Sequence, residues 1–185
     1  MADTDISVSR IRTADMAYIA LFAVLMAVCA WISIPFAVPF TLQTFAVFAA
    51  LAILGGRRGT LSVVVYLLLG AVGLPVFAGF KGGLAALLGT TGGYILGFLL
   101  TALLYWGITY ILGEKPVVMI LSLILGLAVC YAFGTAWFLV VYTRTSGALS
   151  LFTALGWCVF PFILPDLCKL GLAVLLSFRV KKHLK

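Results

Sequence analysis

Charge is what this sequence has least of. Only 9% of its 185 residues are charged, against about 25% in a soluble globular domain. With 65% hydrophobic residues, it has too little polar surface to clothe a water-exposed fold and reads as an integral membrane protein of one domain. Histidine occurs once, as His183 in the basic tail, which argues against a histidine-based metal or catalytic centre. The four cysteines, Cys29, Cys130, Cys158 and Cys168, all fall in apolar runs and form no C-x-x-C pair. They read as small buried apolar residues, not as disulfides or metal ligands. There is no G-x-x-x-x-G-K-[ST] loop, so the chain should not bind or hydrolyse ATP by that route. H-E-x-x-H and G-x-S-x-G are equally missing, and the one acid placed within the membrane, Asp166, is too few for an intramembrane aspartyl protease. These gaps predict neither enzyme nor cofactor nor metal. The net charge of +7 is no nucleic-acid signal either, because the positive residues lie between and beyond the apolar segments.

What is present is a series of apolar segments. Residues 1–12 are polar and read as a short cytoplasmic start, with Thr13 or Asp15 available to cap the first helix. The spans expected are about 14–33, 42–55, 60–72, 90–112, 117–142 and 151–178, the last broken by Pro161 and Pro165. The first is too long for a signal-peptide core and has no obvious cleavage site, so it reads as a retained span. The second and third are short against the ~20 residues a crossing needs. The expected fold is therefore all-α: one domain over 1–185, with a six-helix core at 13–178 and a basic cytoplasmic tail at 179–185.

Positive charge orients such a bundle. Arg10, Arg12, Arg57, Arg58, Lys115, Arg179, Lys181, Lys182 and Lys185 fall on one side, Lys81 and Arg144 on the other, and Lys169 within the membrane. Both termini are then cytoplasmic (N-in, C-in). The proline-rich segment 34–43, the glycine-dense 73–89 segment and a polar loop at 143–150 lie outside. A ligand pocket is expected to face outward under these loops.

The most informative stretch is Pro161-Phe-Ile-Leu-Pro-Asp166-Leu-Cys-Lys169. A charge at bilayer depth costs about 2.5–3.5 kcal/mol on insertion scales. On a helix, Asp166 and Lys169 share a face. Each proline also removes a backbone donor that lipid cannot replace. Structural neutralisation of the pair is one reading; a polar binding site is the other. Thr41, Gln43, Thr90, Thr91 and Tyr94 can reach the same outer half, among Phe36, Phe40, Phe45, Phe77 and Phe80. That set suits a small amphipathic ligand. The glycines of 70–97 serve either helix contact or a bare-backbone pocket wall. Ala23-x-x-x-Ala27 lets another helix approach closely, whether from this chain or from a partner.

Several motifs together resemble the BioY family: Val38-Pro-Phe-Thr-Leu-Gln43-Thr44, Gly70-Ala-Val-Gly-Leu-Pro-Val-Phe77, Gly82-Gly83 followed by Gly89-Thr90-Thr91-Gly92-Gly93-Tyr94, and Pro165-Asp-Leu-Cys-Lys169. Thr90 stands where that family often has proline. The resemblance spans roughly residues 13–180. It implies a biotin-specific S component of an energy-coupling factor (ECF) importer, multi-pass in a prokaryotic cell membrane among membrane lipid. Its partners would be a coupling subunit and two cytoplasmic ATPases that hydrolyse ATP on its behalf, with no nucleic acid. It further implies ligand roles for Gln43, Thr91, Tyr94, Asp166 and Lys169, with backbone from Gly82, Gly83, Gly92 and Gly93. Lys169 would meet the valerate carboxylate or Asp166, and Asp166 the ureido N–H groups or Lys169. Ala23 and Ala27 would be where the coupling subunit docks. The alternatives are an S component for another vitamin, a stand-alone secondary carrier of a small amphipathic carboxylate, and a non-transporting membrane scaffold; no repeat between spans 1–3 and 4–6 supports the carrier.

Overall fold

The computed structural model describes residues 12–183. The expected cytoplasmic start, apart from its last residue, and the final two residues of the tail lie outside the described residues. The chain is mostly helical: α1 Thr13–Trp31, α2 Gln43–Leu54, α3 Gly56–Ala71, α4 Leu84–Leu88, α5 Gly92–Leu112, α6 Pro116–Ser146, α7 Leu151–Cys158 and α8 Phe160–His183. Two short strands, β1 Ser33–Ile34 and β2 Phe40–Thr41, pair antiparallel between α1 and α2. The uncharged proline segment is thus an ordered hairpin. The start of α1 is capped by Asp15, whose carboxylate accepts the Arg12 N–H at 3.2 Å.

Four segments are long and apolar enough to cross a membrane: Thr13–Trp31, Gly92–Leu112, Pro116–Ser146 and Leu151–Lys182. The chain is a multi-pass membrane protein. Helices α2 and α3 turn about Gly55. At 12 and 16 residues they reach only about 18 and 24 Å, short of a ~30 Å hydrocarbon core. For α2 the shortness has a physical reason. Every residue from Ala46 to Ile53 is buried, and α1, α3, α5 and α8 all contact it. A helix apolar on all sides is stable when protein encloses it, so α2 forms the centre of the bundle.

Two boundaries differ from the sequence reading. Helix α6 runs on through Ser146 and carries Arg144 in its last turn, so the loop expected from Thr143 begins only at Gly147. Residues 143–146 are polar but contain no helix breaker; Gly147, at φ +102°, is the first, and Arg144 favours the negative end of the helix dipole. The break in the last apolar segment falls at Val159 (φ −125°, ψ −58°). Pro161 then occupies the first turn of α8, where a missing N–H costs nothing. Pro165 lies inside α8 and leaves the Pro161 carbonyl without its helical donor.

The alanine stripe also has a different role. Ala23 is 1% exposed, Ala27 5% and Ala30 0%, and α1 contacts α2 and α3. The close approach that Ala23-x-x-x-Ala27 allows is already taken by this chain's own helices. The expectation of a partner-docking stripe at Ala23 and Ala27 is corrected accordingly to internal contact. Met16, Leu21, Val24 and Val28 form the exposed face of α1.

Candidate functional site

A cavity of about 500 Å³ lies beneath the β1–β2 hairpin and the 77–91 segment. Its walls come from the first turns of α2 and α5, the middle of α6 and the first half of α8. This volume suits a small molecule. Aromatic and aliphatic side chains make most of the wall, including Phe36, Phe77, Ile95 and Phe162.

The polar end is built on α8. Asp166 is 2% exposed and Lys169 6%. Their position one turn apart brings Nζ to 2.8 Å from Asp166 Oδ1. Other helices complete the pair. Thr44 in the first turn of α2 donates its hydroxyl to Asp166 Oδ1 at 2.9 Å, and Tyr131 of α6 donates its hydroxyl to Oδ2 at 2.7 Å. Lys169 also donates to the backbone carbonyl of Thr41, at 2.6 Å, and its ammonium sits 4.0 Å from the centroid of the Phe40 ring. A buried charge is tolerable when paired and hydrogen-bonded, and both are. One carboxylate accepts three donors from three helices, so α2, α6 and α8 are clamped around one point.

Gln43 is 4% exposed. Its Nε2 donates to Tyr66 Oη at 2.7 Å, and Tyr66 donates onward to the Val76 carbonyl at 3.1 Å. One of the two amide N–H donors is thus committed, and the amide oxygen accepts no hydrogen bond from the described residues, so it is available to the cavity Gln43 lines. Tyr94 shares a 2.8 Å hydrogen bond with Thr135 of α6.

Of the residues singled out from sequence, the structure gathers Gln43, Gly82, Thr91, Tyr94, Asp166 and Lys169 around this cavity, with Thr41 and Thr90 beside them. Gly83, Gly92 and Gly93 sit outside its lining. Gly83 adopts φ +83° in the turn leading into α4 and donates its N–H to the Gly70 carbonyl at 2.7 Å. A Cβ on Gly92 would collide with the Leu87 carbonyl, and one on Gly93 with Trp137. These two glycines let α5 approach α4 and α6 closely, which shapes the wall from behind. Sequence reasoning missed Tyr131 and Thr44 as partners of Asp166; the sole prior signal was a hydroxyl in an apolar segment.

Fold and site together define a multi-pass membrane protein with a cavity of small-molecule size that closes at one end on a buried polar cluster. The chain belongs to the BioY family, whose model matches residues 3–185. It is 43% identical over 163 residues to the biotin transporter BioY of Thermotoga maritima, covering 88% of this chain and 92% of that one. It is 40% identical over 172 residues to the probable biotin transporter BioY of Pyrococcus horikoshii, covering 92% and 98%. Its structure superposes on the crystal structure of the S-component for biotin from an ECF-type ABC transporter, with TM-score 0.80, 28% identity and 91% of each chain covered.

Proposed function

We propose that this chain is the biotin-capturing S component of an ECF-type importer and no enzyme itself. The observation that carries the reading is the Asp166–Lys169 pair, clamped by Thr44 and Tyr131 at one end of a cavity of about 500 Å³ in a chain of the BioY family. Family relatives named biotin transporters support biotin as the ligand. The ureido group can place an N–H on Asp166 and on the Gln43 oxygen, and Tyr94, Thr91 and the Gly82 backbone flank the rest. Gly83, Gly92 and Gly93 contribute through the shape of the wall.

The proposed topology is six crossings within a single domain over 1–185, N-in and C-in, in the cell membrane of a prokaryote, with α2 and α3 as the short second and third crossings and the cavity open to the outside. Two ion pairs support that orientation. Arg58 meets Asp15 at 3.1 Å and Lys181 meets Glu114 at 3.2 Å, which gathers the basic α2–α3 turn, the start of α1, the α5–α6 turn and the end of α8 into two contacts at helix termini. The cavity loops connect the other ends of the same helices. A chain with no phosphate-binding loop needs ATP hydrolysed elsewhere, which fits a coupling subunit and two cytoplasmic ATPases.

Calorimetric titration of biotin into the purified protein in detergent tests the reading. Saturable one-to-one binding is expected. A monodisperse, thermally cooperative preparation that takes up no biotin overturns it. Uptake by cells carrying this chain without coupling subunits favours the stand-alone carrier instead.

A further inference from the structure

The buried cluster already engages the lysine that would otherwise hold a ligand carboxylate. An ammonium has three N–H donors. Lys169 directs one to Asp166 and one to the Thr41 carbonyl, and its remaining surface faces the Phe40 ring. Two of its three donors are therefore spent on oxygens of this chain, and the ammonium is packed against an aromatic face. The three acids among the described residues are each engaged: Asp15 with Arg58, Glu114 with Lys181, Asp166 with Lys169. Lys81 lines the same cavity and has no carboxylate partner among the described residues. Asp166 and Lys169 cancel, so the charged residues lining the cavity sum to one positive charge, that of Lys81.

The position of Lys81 is fixed by its backbone. Phe77 donates its N–H to the Lys81 carbonyl at 2.9 Å, and the two residues pair as an antiparallel bridge. Phe77 is 1% exposed and packs edge-on against Tyr66, ring centroids 5.5 Å apart. The intervening turn passes through Gly79 at φ +68° and Phe80 at φ +57°, and Phe80 stacks on Trp31 at 5.2 Å. Trp31 in turn donates to the Pro75 carbonyl at 2.8 Å. A backbone anchored on both sides presents an exposed cation at the rim, far along the chain from the clamped pair.

We propose that Lys81 is the carboxylate-selecting residue of the cavity: it holds the acid end of a monoanionic ligand whose neutral head sits at Asp166 and Gln43. The inference rests on the biotin reading above and assigns Lys169 a positioning role. A rim cation also raises the association rate of an anion and makes it sensitive to salt.

The test compares biotin with biotinamide, whose carboxylate is a neutral amide, on the full chain in detergent. Lys81→Met is expected to weaken biotin roughly tenfold, as for one charge-assisted contact discounted for exposure, and to leave biotinamide unchanged. Biotinamide binding serves as the folding control. Lys81→Arg restores biotin. Lys169→Met weakens both ligands alike. Salt lowers biotin affinity for the wild type and not for Lys81→Met. Equal affinity of both ligands for the wild type, or a Lys81→Met that binds biotin as the wild type does or weakens both ligands equally, overturns the assignment while leaving the biotin reading intact. A wild type that binds neither ligand overturns both.

Discussion

Removing both charges of the buried pair should do less damage than the two single removals added together. At 2.8 Å and an effective dielectric of about 20, the gross attraction is about 6 kcal/mol. Breaking a buried pair from one side typically costs about 3–5 kcal/mol, because the other charge stays behind. In Lys169→Met, Asp166 keeps the Thr44 and Tyr131 hydroxyls, which places this variant near the lower bound. In Asp166→Asn, Lys169 keeps only a carbonyl and an aromatic face as strong partners, together with the weaker amide oxygen, which places it higher. The double variant buries no charge, so it should be less destabilised than the sum of the singles by about 2–3 kcal/mol, the upper part of the range for residues in contact. Reversible unfolding of the four proteins in mixed detergent measures this coupling. Biotin titration of the same preparations measures function, and all three variants should lose about 2–5 kcal/mol of binding. Sub-additive loss of stability with no matching relief of binding is the expected signature of a site. Additive destabilisation would refute the coupling, and singles that bind as the wild type does would remove the pair from the site altogether.

Two further predictions address the frame. With native cysteines replaced, an impermeant thiol reagent applied outside should label a cysteine at position 146, at the end of α6, and not one at position 57 in the α2–α3 turn; labelling of position 57 reverses the proposed orientation. Tryptophan at both Ala23 and Ala27, which are 1% and 5% exposed, should overpack the α1 contact and cost several kcal/mol, so that yield, thermal stability and biotin binding fall together; intact binding in a well-folded double variant would mean that a partner, not this chain, meets that stripe.

How much of the site the sequence disclosed depends on the cost of each residue in lipid. Asp166 and Lys169 were legible because a charge in an apolar run has no cheap explanation, and their spacing alone puts them on one face. Gln43 and Tyr94 were legible because polar groups near span ends had few other places to go. Tyr131 was not, because a tyrosine in a membrane helix is unremarkable by itself, and its link to Asp166 crosses from α6 to α8. Thr41 shows a subtler limit: it was noted for its hydroxyl, whereas it meets Lys169 through its backbone carbonyl, a group every residue has.

The misjudged elements share one cause, which is that a local signal names an interaction without naming its partner. The polarity of Thr143 to Ser146 says that water is near, not that the helix has stopped. The small residues at Ala23 and Ala27 say that a backbone comes close, and the burial of both says it is this chain's own. Gly92 and Gly93 carry the same composition signal as a bare wall facing a ligand, yet α4 and α6 fill the space their missing side chains leave. Lys81 is the converse case. From sequence it was one of two charges on the outer side and served only to orient the bundle. Its chemical meaning emerges once every acid among the described residues is seen to be engaged and Lys169 is seen to be paired within its own cluster. In a chain with so few charges, the informative question about each cation is which anion it already has, and Lys81 is where the cavity leaves that question open to a ligand.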